Sequence, residues 1–121
     1  MVDTATLLKL HKPLQQKAMK SPHKLQGASL VWDEKTHSIV GLENNEQGDS
    51  AISALDHIPW YKALFGNYVL ISTFSPTIEA IEVCRKKHIS HIFFFEHLNS
   101  AASLRLMKKY GILSTRLIIT K

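Results

Sequence analysis

The chain has 121 residues, 45% hydrophobic and 21% charged, with a net charge of +5. That length supports one domain with a genuine core and excludes a second, and the balance of residues is that of a soluble fold rather than a disordered or membrane-embedded one. No window approaches the roughly eighteen apolar residues of a spanning helix, and the lone Cys84 excludes an internal disulfide or a multi-cysteine metal cluster. Residues 1–20 lack the short apolar core of a secretory leader, so a cytoplasmic location without membrane contact is expected.

Residues 4–20 carry Leu7, Leu8, Leu10, Leu14 and Ala18 at near-helical spacing, with Asp3 or Thr4 placed to cap the start. Pro13 falls in the interior, so the helix either kinks or begins there, and Ser21-Pro22 ends it. Residues 26–32 and 37–42 read as two strands joined by the polar turn Asp33-Glu34-Lys35-Thr36, a hairpin. Residues 43–50 form a loop ending in Asp49-Ser50, either of which can cap a helix with the apolar face Ala51, Ile52, Ala54, Leu55 and Ile58. Pro59 breaks that helix, residues 60–65 make a short aromatic turn, and Gly66-Asn67 leads into the next strand.

Residues 68–95 are the unit around which the rest is organised. Val69, Leu70 and Ile71 are strand, 72–76 turn, and from Thr77 the period changes so that Ile78, Ile81 and Cys84 recur on one face of a helix. Residues 89–95 are nearly continuously apolar, the pattern of a strand covered on both sides. Two such strands joined by a helix make a parallel crossover. Residues 101–110 form a further helix with Lys108-Lys109 at its C-terminal end and Gly111 as a stop, and 112–119 form a last strand. The order α-β-β-α-β-α-β-α-β predicts an α/β fold, a three-layer α-β-α sandwich on a five-stranded mixed sheet, with the run at 92–95 away from an edge. Ligands approach such sheets at the carboxyl ends of strands and at helix N-termini, which singles out 44–51 and 74–80.

Those segments resemble the cytidine/deoxycytidylate deaminase superfamily, including its tRNA adenosine deaminase branch. Gly27-Ala28-Ser29-Leu30-Val31 and Ile39-Val40-Gly41 resemble the family's first hairpin, and Asp49-Ser50-Ala51-Ile52-Ser53-Ala54-Leu55 stands where the family has His-Ala-Glu-x-x-Ala-Leu. Ser72 to Ala80 stands where it has Thr-x-x-Pro-Cys-x-x-Cys. The resemblance implies a deaminase-like fold. In the family a His and two Cys hold zinc, the metal supplies hydroxide, and a Glu moves protons. Carried over by position, the histidine is Asp49, the glutamate Ala51 and the cysteines Thr77 and Ala80, and neither His-x-Glu nor Cys-x-x-Cys occurs anywhere in the chain. The resemblance therefore implies a degenerate member with no catalytic residue, no metal and no cofactor.

The expected role is association, as a homodimer or as the non-catalytic partner of an active deaminase-like subunit. Trp60, Tyr61 and Phe65 either pack their helix against the sheet or form an interface, two compatible readings. An alternative is a small-molecule or nucleotide binder, or an enzyme of another class, using the emptied pocket with Asn44, Ser75 and His97 around it. A third is RNA binding through Lys9, Lys12, Lys17, Lys20, Lys24 and the run Arg85-Lys86-Lys87. Cys84 reads as a small buried hydrophobe, and His57, His88 and His91 as surface or capping groups rather than ligands.

Overall fold

The computed structural model describes residues 2–96 and 101–118. Their elements are α1 (Thr4–Met19), β1 (Ala28–Asp33), β2 (Ser38–Asn44), α2 (Ser50–Leu55), α3 (Trp60–Ala63), β3 (Tyr68–Phe74), α4 (Ile78–Lys86), β4 (His91–Glu96), α5 (Ala101–Lys109) and β5 (Leu113–Arg116). The five strands form one sheet in the order β2-β1-β3-β4-β5. β1 runs antiparallel to both β2 and β3, while β3, β4 and β5 are mutually parallel. The sheet is therefore mixed, with the hairpin at one edge and crossovers after it, as the element order predicts.

Side-chain alternation divides the sheet into two apolar faces. Leu10, Leu14 and Ala18 of α1 pack with Leu30, Val69, Ile71 and Phe93 on one face. On the other, Ala51, Ala54 and Leu55 of α2, Ala80, Ile81 and Cys84 of α4, and Met107 of α5 pack with Val31, Leu70 and Ile92. These make the three layers. Leu30, Leu70, Ile71 and Ile92 are fully buried because β1, β3 and β4 lie inside the sheet, each with a strand on both sides. Among the described residues no helix is long and apolar enough to cross a membrane.

α1 runs unbroken through Pro13. The proline removes the partner of the Lys9 carbonyl, and Lys9 is an exposed residue, so water can take its place. Leu10 and Leu14, which flank Pro13 on the inner face, supply the burial that holds the helix together. Asp3 caps it, accepting from the Thr6 amide at 2.8 Å. Residues 60–65 are not merely a turn, since α3 forms one helical turn from Trp60 after Pro59.

The α4-to-β4 connection explains why that strand starts later than position 89. The Ile89 amide donates to the Cys84 carbonyl and the His88 amide to the Arg85 carbonyl, the paired bonds that close a helix through a left-handed residue. That residue is His88, with φ 58°. The same closure after α5 uses Gly111, with φ 72°, and the bonds Ile112 to Met107 and Gly111 to Lys108. His88→Gly is expected to stabilise the fold by roughly 0.5–1 kcal/mol, because only glycine adopts this conformation without a steric penalty. A rise in the urea midpoint at unchanged slope would report it.

Candidate functional site

β2 and β3 are both antiparallel to β1, so they point the same way and end at the same edge of the sheet. The chain leaves β2 through residues 45–49 into α2, and leaves β3 through 75–77 into α4. Two helix starts thus converge over the beginning of β1. Asp49 is the N-cap of α2, its Oδ1 accepting from the Ala51 amide at 2.9 Å and the Ile52 amide at 3.4 Å. Thr77 is the N-cap of α4, its Oγ1 accepting from the Ala80 amide at 3.1 Å. The two caps are bonded to each other, since the Thr77 hydroxyl donates to Asp49 Oδ2 at 2.6 Å. A bond to a charged carboxylate is of the stronger kind, about 1.5–3 kcal/mol. Here it ties one helix start to the other.

Beside this pin lies a cavity of about 280 Å³ lined by Asn45, Gly48, Asp49, Ser50, Ala51, Ser72, Phe74, Ser75, Pro76 and Thr77. Its floor holds a chain of hydroxyls: Ser29 Oγ lies 2.8 Å from Ser50 Oγ and 2.5 Å from Ser72 Oγ. Ser29 and Ser72 are register partners across β1 and β3. Both are buried, so each satisfies the other where an apolar side chain would otherwise sit.

Of the positions singled out from sequence, Asp49, Ala51, Ser75 and Thr77 line this cavity. Ala80 is 0% exposed and is not part of the lining. Asn44 does not belong to the cavity. It lies two residues on from Leu42, which packs on the α1 side, and strand alternation turns it the same way. Its amide donates to the Lys17 carbonyl at 3.2 Å and its oxygen accepts from the Glu46 amide at 3.0 Å. Asn45, one residue later, lines the cavity while accepting from Ser21 Oγ and donating to the Leu25 carbonyl. His97 lies outside the described residues.

The other candidates are dispersed. Cys84 is 0% exposed, and burial pushes its thiol up to about 12, the state of an inert core residue. His57 sits 3.4 Å from Glu43 Oε2 at the surface. His91 stacks on Phe93 with centroids 4.0 Å apart and its Nε2 lies 2.7 Å from Thr115 Oγ1, at the opposite end of β4 from the cavity. Burial holds its imidazole below the usual pKa. Lys9, Lys12, Lys20 and Lys24 are exposed, but the Arg85-Lys86-Lys87 run is partly occupied. Arg85 lies over the Tyr110 ring at 4.7 Å, and Lys87 donates to the Ile58 carbonyl.

No family model matches the chain, and no curated protein does. Solved structures do match. The dCMP deaminase of cyanophage S-TIM5, in its apo form, superposes with a TM-score of 0.76 over 96% of this chain and 100% of that one, at 11% identity. Aspergillus oryzae Rib2 deaminase at pH 6.5 gives 0.70 over 92% and 83%, at 12% identity. The Thermotoga maritima diaminohydroxyphosphoribosylaminopyrimidine deaminase/reductase gives 0.73 over 93% of this chain and 36% of that larger one, at 12% identity.

This is a deaminase fold. At 11–12% identity the likeness is one of architecture, and the zinc held by active members of the resembled family does not fit the residues present in this deaminase fold. Asp49 already accepts three hydrogen bonds on its two oxygens. Thr77 Oγ1 is committed to Asp49 and to the Ala80 amide. Ala51 and Ala80 present only methyl groups, 3% and 0% exposed, at the positions where the sequence resemblance expects a proton carrier and a thiolate in active members. Among the described residues no group of three or more His, Cys, Asp or Glu comes together to hold a metal ion. Among the described residues, this deaminase-fold chain brings no catalytic metal-binding groups to the site.

Proposed function

We propose that this deaminase-fold chain acts by association rather than by catalysis, as a homodimer or as the non-catalytic partner of an active deaminase-like subunit. The observation that carries the reading is the Thr77–Asp49 bond at 2.6 Å, a direct side-chain link that occupies groups at the two helix starts on which zinc chemistry would depend. With Ala51 at the position of the proton carrier, the site can neither generate a hydroxide nor move its proton. The cavity points the same way. Its volume of about 280 Å³ falls just below the ~300–1,000 Å³ typical of small-molecule sites, and the Asp49 carboxylate on its wall disfavours an anionic ligand such as a nucleotide.

The test is turnover. The matching structures include a dCMP deaminase crystallised with dCMP and dUMP, so dCMP and cytidine are the substrates to offer, with and without added zinc. No change in ultraviolet absorbance is expected. Deamination that disappears on chelation would overturn the reading. A second reading, a small neutral polar molecule held against the Ser29, Ser50 and Ser72 hydroxyls, is favoured by that buried chain alone.

A further inference from the structure

Several helices cover one face of the sheet, but α1 alone covers the other. It lies across β1, β2 and β3, and leaves the carboxyl ends of β4 and β5 open beside it. A cavity of about 440 Å³ fills that corner, at the strand ends where ligands approach α/β sheets. His11 and Gln15, one turn apart on α1, form one wall. Thr73, Phe95 and Leu117, neighbours across the three parallel strands, form the floor. Ser72 and Phe74, on either side of Thr73, line the Asp49 cavity instead. Strand alternation thus sets the two cavities on opposite faces of the sheet.

The floor is fixed in place. The Leu117 amide donates to the Phe94 carbonyl at 2.7 Å, and the Phe95 ring lies against His11 with centroids 4.7 Å apart. Thr73 Oγ1 accepts from the Ala28 amide at 3.2 Å, which leaves its hydroxyl proton to donate. Two opposite charges complete the lining, Glu96 at the end of β4 and Arg116 at the end of β5. Arg116 Nε donates to the Phe95 carbonyl at 3.3 Å, so the guanidinium is held beside the floor with its terminal NH2 groups left for another acceptor. Among the described residues neither Glu96 nor Arg116 is joined in an ion pair.

Those two unpaired charges define the ligand. A guanidinium suits a carboxylate, which it can hold through two parallel bonds, and a carboxylate suits an ammonium. An anion or a cation alone would meet a like charge on the same cavity wall. A molecule carrying both charges close together satisfies both. An apolar recess of about 100 Å³ adjoins the cavity, walled by Leu7 and Leu8 and sharing Phe95 and Leu117 with it. It offers room for an apolar side chain.

We propose that this corner binds a free α-amino acid with an apolar side chain, its carboxylate on Arg116, its ammonium on Glu96 and its side chain in the Leu7–Leu8 recess. The site is separate from the Asp49–Thr77 cavity and does not depend on the association reading.

Titration of the full chain with L-leucine and with L-phenylalanine, followed by nitrogen–proton correlation spectra, tests it. A Kd of about 1 mM or below is expected for ligands of this size, with shifts at the Thr73, Phe95 and Leu117 amides. Arg116→Gln and Glu96→Gln should each weaken binding by about 10-fold or more. Isocaproate and isoamylamine, which are leucine without its ammonium and without its carboxylate, should lose about as much. Leu8 is 57% exposed, so Leu8→Glu keeps the fold and provides a further variant should a charge variant fail to fold. It should weaken leucine binding about as much. Absence of shifts at concentrations well above that Kd overturns the proposal, and so do shifts confined to Ser50 and Ser72. Binding that isocaproate matches, or that both charge variants leave intact, overturns it as well.

Discussion

Asp49→Ala is expected to cost about 2–4 kcal/mol of stability. The carboxylate caps α2 through two amides and receives the Thr77 hydroxyl, so its removal loses a helix cap, about 1 kcal/mol, and a charge-assisted bond. The remaining loss comes from the Thr77 hydroxyl, half-buried and left without its acceptor. Against a total of ~5–15 kcal/mol for a domain this is a large fraction. Thr77→Val removes the other end of the pin and also the cap of α4. The two changes should be less than additive by about 1–2 kcal/mol, since the shared bond can be lost only once. Asp49→Asn keeps a good cap but puts an NH2 donor where Oδ2 accepts the Thr77 hydroxyl, so it loses both the charge and that acceptor and should fall between wild type and alanine. Urea denaturation of the four members of the cycle measures the coupling, and full additivity would mean that the bond ties nothing together.

Gly41→Val is expected to cost about 2–3 kcal/mol and to reach the same site from a distance. A Cβ at Gly41 would stand 2.6 Å from the Ala54 carbonyl oxygen and 2.9 Å from the His57 ring. The His57 ring is half-exposed and can swing away, but the carbonyl is helix backbone under a fully buried residue. α2 would have to lift off β2, the overpacking penalty that a dense core cannot relax. Asp49 stands at the start of that helix, so the lift would also misalign the pin. In the Gly41→Val background Thr77→Val should therefore cost measurably less than it does in wild type. Denaturation of the single and double variants decides this, and an undiminished cost would show that α2 had kept its place.

The parts of the fold that were legible in the sequence are those fixed by local physics. The hairpin is written in two apolar runs around Asp33-Glu34-Lys35-Thr36, and the crossover in the change of period at Thr77. Helix starts at Asp49 and Thr77 follow from capping chemistry that acts within three residues. What the sequence left open depends on contacts distant in the chain. Pro13 looks like a break until Leu10 and Leu14 are seen buried on either side of it. Asn44 and Asn45 differ by one residue, and only the facing of Leu42 in the sheet decides which of them reaches the cavity. Trp60 and Phe65 look like core by composition, yet they face water because Ile58 and Ala63 take the inner positions. The hydroxyl chain was missed, although a signal existed. Ser29 interrupts the apolar run Ala28 to Val31, and Ser72 ends the run Val69 to Ile71. A polar group at an inward position of a buried strand must find a partner, and here the two find each other. The bond between Asp49 and Thr77 could not be read at all, because it spans 28 residues and depends on β2 and β3, on either side of β1, ending at the same edge of the sheet.

The central claim is that this site holds itself together by a hydrogen bond and not by a metal. Its most direct test is the zinc content of the purified chain by elemental analysis, paired with thermal unfolding before and after treatment with a strong chelator. Structural zinc contributes folding free energy outright, so its removal lowers stability wherever it is present. The expected result is far less than one zinc per chain and a melting temperature that chelation leaves unchanged. One tightly held zinc per chain, with a melting transition that drops when it is removed, would contradict the account.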